Sequence, residues 1–503
     1  MKPISTLARV RIELDGAPFM LDTGILTGVL VQQRLSLPSL CELVFSDLLA
    51  SLVPTRQFQP GQSLTVTVEG MYTPLFNGQI TAVERVYRAN NQRETLVRAY
   101  DALHALRKRQ SVRAHVELTL ADLAGELISD LGVTVDAHDS SPLWSFLIQH
   151  RQSDFDLLID LAERSGTYLT IREETLHLLS LEGIDDVGTL TLGENLFEAR
   201  FELNGDPALR TTNAAGWNPL RVEAYTSTTS AARSGRDVRF TVDPGSVNGS
   251  GESMLVGEHA QSSDHTAALA QAELDRQIAR EVAFWGIADG DPLLRPGAKV
   301  QIGGVEDGFS GTYVITSATH TINATASYTT QVSTFPPPRR ERSYSAGATL
   351  GVVSAIDGQL GRVRATLSAY NDVETDWMHV LSLGAGSGKG LIIVPDVGDE
   401  VLVLLMNNDP AQGIVLGGLF GMNGSIDPGI DSNSVKRFTL LTPGGQKIKL
   451  DDTNETIRIE NSGGSYIELT PDHVRLHAAA DLTLEAPGKQ VIVRGSTIDF
   501  QRG

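Results

Sequence analysis

Residues 448–500 read IKLDDTNETIRIENSGGSYIELTPDHVRLHAAADLTLEAPGKQVIVRGSTIDF. Seven apolar pairs stand along this stretch, each with one residue between its members: Ile448/Leu450, Ile457/Ile459, Ile467/Leu469, Val474/Leu476, Leu482/Leu484, Val491/Val493 and Ile498/Phe500. The middle residue is charged in five of them: Lys449, Arg458, Glu468, Arg475 and Asp499. Residues i and i+2 of a strand share a face. Each unit therefore reads as a very short strand with one apolar and one wet side. First members advance by 50 residues over six steps, a mean near eight. That is too short for a self-sufficient solenoid coil, whose repeats run about twenty residues or more. A lone sheet would leave its apolar side in water, although burying one such side chain stabilises by roughly 1.5–3 kcal/mol as an upper bound. The face needs a cover. Two arrangements supply one: three copies wound about a common axis, each forming one wall of a prism, or an antiparallel meander packed on an upstream domain.

The rest of the chain narrows the choice. Its 503 residues are enough for roughly three or four domains. The 48 glycines and 21 prolines, set among short alternating segments, suggest mostly β structure with many turns. A formal net charge of −20 argues against a general binder of nucleic acid or anionic membrane. The single cysteine, Cys41, leaves no intrachain disulfide and no cysteine-based metal cluster, which is compatible with a reducing cytoplasm. Lys2 and Pro3 lead into mixed polar residues with no apolar h-region, so no signal peptide is expected. No stretch approaches the roughly 20 apolar residues of a membrane span.

Alternation marks strands at Arg9–Leu14 and Ser63–Val68, punctuated by Asp15-Gly16 and Pro60-Gly61. Thr119 with Asp122, and Ser153 with Asp156, are capping boxes ahead of helices carrying Leu120, Leu123, Leu127 and Leu131, and Phe155, Leu158, Ile159 and Ala162. Strands resume at 168–171 and 175–181, a polar segment covers about 204–252, and a third helix is expected from near Thr266 to Phe284. An internal echo then appears. Phe58-Gln59-Pro60-Gly61 precedes Leu64, Val66, Val68 and Phe76-Asn77-Gly78-Gln79-Ile80; Leu294-Arg295-Pro296-Gly297 precedes Val300, Ile302 and Phe309-Ser310-Gly311-Thr312-Tyr313. One small β-domain thus occurs twice, with a helical insertion between the copies. Pro336-Pro337-Pro338 with Arg339, Arg340, Glu341 and Arg342 is a stiff charged linker. Beyond it, strands are expected at 351–356, 362–367, 378–381, 391–394, 401–405 and 414–416, as in an OB-type barrel.

This order resembles the VgrG and phage tail-hub-and-spike family of contractile injection machines. Ser153–Leu158 through Ala162–Gly166, Gly290–Gly297, Phe309–Ile315 and Tyr328-Thr329-Thr330 resemble the family locally, as do Gly361–Arg364, Trp377, Pro395 and Gly398–Val403 in the barrel. The resemblance implies a mainly β chain with a helical insertion. Its expected parts are hub β-barrel 1 (1–110), an α/β insertion (111–200), hub β-barrel 2 (201–335), a Pro-rich linker (336–345), an OB-fold domain (346–424) and a trimeric intertwined β-prism spike (425–503). It implies a homotrimer whose six similar hub faces dock a threefold spike on a sixfold tube. Inner tube and baseplate proteins would be neighbours. A PAAR-like tip protein would sit at Phe500, Gln501, Arg502 and Gly503, toxin cargo would ride on that tip or in the tube, and the target membrane would be touched transiently. The fourteen paired residues would form the trimer core: Ile448, Leu450, Ile457, Ile459, Ile467, Leu469, Val474, Leu476, Leu482, Leu484, Val491, Val493, Ile498 and Phe500.

Enzymatic signatures are absent from the sequence. Leu383–Gly390 superficially suggests a phosphate loop, but the first glycine falls on Leu383 and the Ser/Thr on Gly390. Neither G-x-S-x-G nor H-E-x-x-H is present. Glu173-Glu174, Asp185-Asp186 and Asp451-Asp452 read as solvated turns, and His473 and His477 should share the outward face of Arg475. No catalytic residue, metal or cofactor is expected. The function expected is a structural spike hub, in an extracellular or phage-tail-like particle rather than a type VI secretion spike, with a phage tail spike as the next reading, assembled in the bacterial cytoplasm and released without a signal peptide. A cell-wall or glycan hydrolase with a β-helical tail, and a receptor-binding fibre, are the rivals from other classes.

Overall fold

The computed structural model describes residues 9–19, 26–46, 57–89, 93–324, 327–340, 345–421, 424–425 and 427–501. The chain divides into two compact units, Met1–Gly418 and Leu419–Gly503.

In the first unit the alternating segments become strands because one face of each is buried. Ile12 and Leu14, and Leu64, Val66 and Val68, enter one core with Val29, Val31, Phe45 and Val97. Eleven strands form a single sheet in the order Leu196–Leu203, Val282–Asp289, Ser327–Ser333, Ser317–Asn323, Leu26–Arg34, Leu37–Ser46, Arg93–Tyr100, Phe76–Tyr87, Ser63–Val68, Val10–Leu14, Ala17–Phe19. Strands from the first hundred residues and from beyond residue 195 therefore share one sheet. The join is Ser317–Asn323 running antiparallel to Leu26–Arg34, with His320 opposite Val31. Each half covers an edge that the other would leave unpaired.

The internal echo has a structural counterpart. Gly61 donates its N–H to the Ile80 carbonyl at 2.8 Å, and Ile80 donates back to Gln62 at 2.9 Å. Gly297 donates to Ile315 at 2.7 Å, and Ile315 donates back to Ala298 at 2.9 Å. Both glycines hold positive φ, 100° and 84°, where a side chain would be strained. The paired hairpins are Ser63–Val68 with Phe76–Tyr87, and Ala298–Gly303 with Gly311–Val314. In each, a glycine faces a neighbouring carbonyl too close for a Cβ: Gly78 against Tyr100 at 2.2 Å, Gly311 against Asp237 at 2.0 Å.

Between the halves, both capping boxes form: the Asp122 and Asp156 N–H groups donate to the Thr119 and Ser153 hydroxyls at 3.2 and 3.1 Å. They open helices Leu120–Ile128 and Asp154–Arg164, whose apolar faces pack with Leu169, Leu176 and Leu178. One expectation for this region, the third helix, is corrected. The polar stretch 204–252 contains strands Thr211–Asn218 and Glu223–Thr229, which form a sheet with Glu252–His259. The third helix is Ser263–Glu281 and stops before Phe284, because Val282–Asp289 pairs with Leu196–Leu203 and sets Phe284 opposite Phe201. Strand pairing overrides helical periodicity there.

The 336–345 linker is tethered where it is described. The Arg339 guanidinium meets buried Glu258 at 2.6 Å, and Arg340 reaches Asp156 at 3.3 Å. Glu341 and Arg342 lie outside the described residues.

The barrel's sheet runs Val373–Glu374, Arg362–Leu367, Gly347–Asp357, Glu400–Leu405, Gly413–Leu419, around Val353, Val363, Leu367, Met378, Val401, Val403 and Val415. Here too the expectation needs correcting. Residues 378–381 contribute only single bridges, Val363 to Met378 and Val380 to Val415, and 391–394 form no strand. Instead the chain folds back on itself at Gly386 and Lys389 and leaves Leu383, Leu391 and Ile392 exposed.

Candidate assembly interface

The second unit is built on strands Arg437–Leu441, Lys447–Asp451, Thr456–Glu460, Tyr466–Leu469 and Val474–His477, joined as an antiparallel meander in that order. Register places the apolar residues in two continuous rows. One runs Leu440, Ile448, Ile459, Ile467, Leu476; the other runs Phe438, Leu450, Ile457, Leu469, Val474. A slip of one residue would send every member to the opposite face. The charged middles fix that register from the other side.

On that opposite side, Lys447 pairs with Glu460 at 3.3 Å, and Arg458 bridges Glu460 at 2.6 Å and Glu468 at 2.9 Å. The Arg458 guanidinium also lies 4.0 Å over the Tyr466 ring, and His477 stacks on that ring at 4.9 Å. His477 thus stands in the polar row. His473 sits at the turn, its Nδ1 3.2 Å from the Thr470 hydroxyl. The hydrogen bonds from Arg458 hold the Glu460 carboxyl below the usual range, and the one from Lys449 draws Asp451 down to about 2. At the entry to the meander, Arg437 clamps Asp427 with two contacts of 3.1 and 2.9 Å and depresses its carboxyl strongly.

Among the described residues of this unit, nothing covers the two rows. All fourteen residues expected in the core are exposed in the single chain, from 38% at Ile448 to 90% at Phe500. Ile448, Leu450, Ile457, Ile459, Ile467, Leu469, Val474 and Leu476 lie on strands of the meander. The other six do not in this single chain. Leu482 and Leu484, Val491 and Val493, and Ile498 and Phe500 belong to no strand: among the described residues nothing pairs with 482–500. Leu484 and Val493 are among the barest of the set, at 68% and 63% exposed. The physical reason is that a short alternating segment becomes a strand only when a neighbour takes its backbone hydrogen bonds, and one chain supplies none here. An open trough of about 560 Å³ on the apolar side is lined by Leu440, Ile448, Ile459, Ile467, Leu476 and Leu482.

Phe438 and Leu440 belong to the rows but were not among the expected pairs. Phe438-Thr439-Leu440 carries the same apolar–polar–apolar signal and sits just upstream of the residue where the count began. Of the expected tip-docking residues, Phe500 is exposed and Gln501 bonds Asp499 at 2.6 Å, while Arg502 and Gly503 lie outside the described residues. In the first unit, the barrel loop offers another exposed apolar cluster: Leu381, Leu383, Ile392, Ile393 and Val397.

Residues 10–324, more than half of the chain, match the family model described as the Alg8 N-terminal domain. Residues 349–420 match the type VI secretion system/phage-baseplate injector OB domain. The type VI secretion system spike protein VgrG4b of Pseudomonas aeruginosa is 29% identical over 159 residues, covering 29% of this chain and 18% of that protein. The match therefore spans less than a fifth of that relative's length. Among solved structures, the c3393 protein of E. coli, described as a type VI secretion component resembling the T4 tail proteins gp27 and gp5, superposes with a TM-score of 0.53. It is 14% identical, with 81% of this chain and 99% of that one covered. The half-lidded PdpA–VgrG complex of Francisella gives a TM-score of 0.55 at 8% identity over 94% of this chain and 89% of that one. At such identities the likeness is one of fold. The family model over residues 10–324 shows that the chain belongs to the Alg8 N-terminal domain family, and its eleven-stranded sheet and injector OB barrel give it a fold shared with tail and type VI secretion proteins.

Proposed function

We propose that three copies of this chain wind their C-terminal units into one needle and act as the central spike hub of a contractile injection particle. The observation that carries the reading is the pair of uncovered apolar rows, continued by three alternating segments without an intrachain partner. Two further copies would cover the rows and pair the segments, so that few backbone groups remain free. The charged rows would stay outside and keep the needle in solution. Six copies of the glycine-gated hairpin, two per chain, would give the threefold hub a near-sixfold face for the tube.

The role is mechanical and non-enzymatic. Sheath contraction loads the tube, and the needle transmits that load to the target membrane. A PAAR-like tip protein would seat on the exposed end at Phe500 and Gln501, with toxin cargo on that tip or in the tube. Assembly would take place in the bacterial cytoplasm, before release of the particle. An extracellular or phage-tail-like particle is the favoured setting.

Light scattering on the full-length chain beside a chain ending at Gly424 tests the proposal. The full chain should give about 160 kDa, three times its 54.1 kDa, and the shortened one should dissociate. A monomeric full-length chain with a folded tail would overturn it.

A further inference from the structure

Away from the needle, three side chains in the helical insertion converge on one point. Asp136 lies on strand Thr134–Ala137, directly opposite His177 on the parallel strand Thr175–Leu179. His138 follows two residues after Asp136, so the pleat returns it to the same side. The Asp136 Oδ2 atom is 3.1 Å from His177 Nδ1 and 3.1 Å from His138 Nε2. One oxygen and two ring nitrogens, from three residues, all lie within 4.8 Å of one another. The two imidazoles are near parallel, with centroids 5.7 Å apart.

From this convergence we infer that Asp136, His138 and His177 bind a divalent transition-metal ion, with Zn²⁺ the best match. Two imidazole nitrogens and one carboxylate oxygen are a zinc donor set with three protein ligands and a fourth position open to water. Bonds of about 2.0–2.2 Å in tetrahedral geometry put ligand atoms roughly 3.3 Å apart. The two oxygen–nitrogen spacings of 3.1 Å already meet that requirement. The two ring nitrogens lie within 4.8 Å of one another and would close toward the same spacing. A donor set richer in nitrogen than in oxygen disfavours Ca²⁺ and Mg²⁺.

The backbone pre-positions the set. The His138 N–H donates to the Leu178 carbonyl at 3.0 Å, and the Ser180 N–H donates to the Asp139 carboxylate at 3.0 Å, which fixes the end of the strand pair. Access is open, because the His138 and Asp136 side chains are 39% and 47% exposed while His177 is largely buried. Thr134–Ala137 is the edge of its three-stranded sheet. The ion would staple that edge strand to its neighbour. This site does not depend on the trimer reading.

Full-length protein stripped with a chelator is titrated with Co²⁺ and, separately, with Zn²⁺. One ion per chain is expected, with the intense visible bands of tetrahedral Co²⁺ and a rise in Tm on Zn²⁺ addition. His138→Ala and His177→Ala should each remove the bands and weaken Zn²⁺ by more than the ~10–100-fold typical of losing an outer-shell partner. His473→Ala, on the needle, should change neither. Circular dichroism confirms that each variant is folded, and His138→Gln replaces any that is not. No stoichiometric ion, or bands that survive both the His138 and His177 substitutions, would overturn the inference.

Discussion

Ile448 and Ile459 face one another across adjacent antiparallel strands, yet each remains more than a third exposed. Their contact is lateral, within one sheet. The surface above them is bare. This pair lies in one of the two apolar rows and lines the trough, so it reports directly on whatever covers the face.

In the proposed trimer, Ile459→Asp should therefore break the assembly. A carboxylate would have to be buried three times over in one needle, at several kcal/mol each. Light scattering should return the mass of one chain, with the far-UV spectrum of the hub retained. Arg458→Ala, on the opposite face of the same strand, removes ion pairs worth about 0.2–1 kcal/mol each and should leave the trimer mass unchanged. Equal responses from the two substitutions would mean that the apolar rows do not form the interface.

The two hub hairpins should share a sensitivity to one methyl group. A Cβ at Gly78 would lie 2.2 Å from the Tyr100 carbonyl, and one at Gly311 would lie 2.0 Å from that of Asp237. Both contacts are with backbone, which cannot swing aside. Gly78→Ala and Gly311→Ala should each cost about 1–3 kcal/mol, measured by urea unfolding of the hub. Gly125 lies in helix Leu120–Ile128, where an added methyl group would meet nothing within 4 Å, so Gly125→Ala should stabilise by roughly 0.5–1 kcal/mol.

Acid should loosen the first unit through its buried histidines. Burial pushes the His320 imidazole down to about 3, beside Thr330 and Tyr328 at 3.0 and 3.2 Å. Burial and the nearby Arg164 charge depress His259 to about 3 and His265 to about 4. Below about 6.5 the unfolded chain takes up protons that the folded chain refuses. The histidines' contribution is thus complete above pH 6.5 and falls as the pH drops toward 4, by about 1.4 kcal/mol per unit for each, while buried Asp101, raised to about 6, offsets part of the loss below pH 6. His320→Gln should flatten the decline in Tm between pH 6.5 and 4.5. An unchanged slope would assign the decline to other groups.

In the barrel, Ile392→Ser tests whether the exposed loop joins the assembly. The Ile392 side chain is 84% exposed, so its loss should change the stability of a chain ending at Gly424 by no more than about 0.5 kcal/mol. On the trimeric reading, the same change in the full-length protein should shift dissociation to lower denaturant. No shift would exclude this loop from the proposed assembly.

Local chemistry was legible wherever a short segment carries its own instructions. The capping boxes at Thr119 and Ser153 need only three-residue spacing, and both helices begin there. The apolar pairs from Ile448 to Leu476 alternate strictly, and each became a strand. Leu482 and Leu484, with Thr483 between them, alternate in the same way and did not, because alternation sets a face but not a partner. Phe284 misled because its helix-like spacing competes with a pairing to Phe201, eighty-three residues away in sequence. The barrel residues 391–394 misled in a similar manner: an apolar run reads as a strand, but no neighbour is in register with it. Asp136 and His138 show the alternating signal of one strand face, but His177 joins them only through a parallel pairing across forty residues.

The sequence by itself determined that this is a mostly β chain with a sided C-terminal repeat, a helical insertion and a duplicated turn-and-strand motif, because periodicity and turn chemistry are local properties. It also determined that the repeat is one-sided, since alternation sets which residues share a face. Only the tertiary structure decided that both halves of the hub share one eleven-stranded sheet, with His320 opposite Val31 at the join. It alone decided that three of the seven apolar pairs find no strand partner among the described residues. Strand pairing is non-local: the same alternating segment can bond to a neighbour in its own chain or to one in another, and only the folded backbone distinguishes the two.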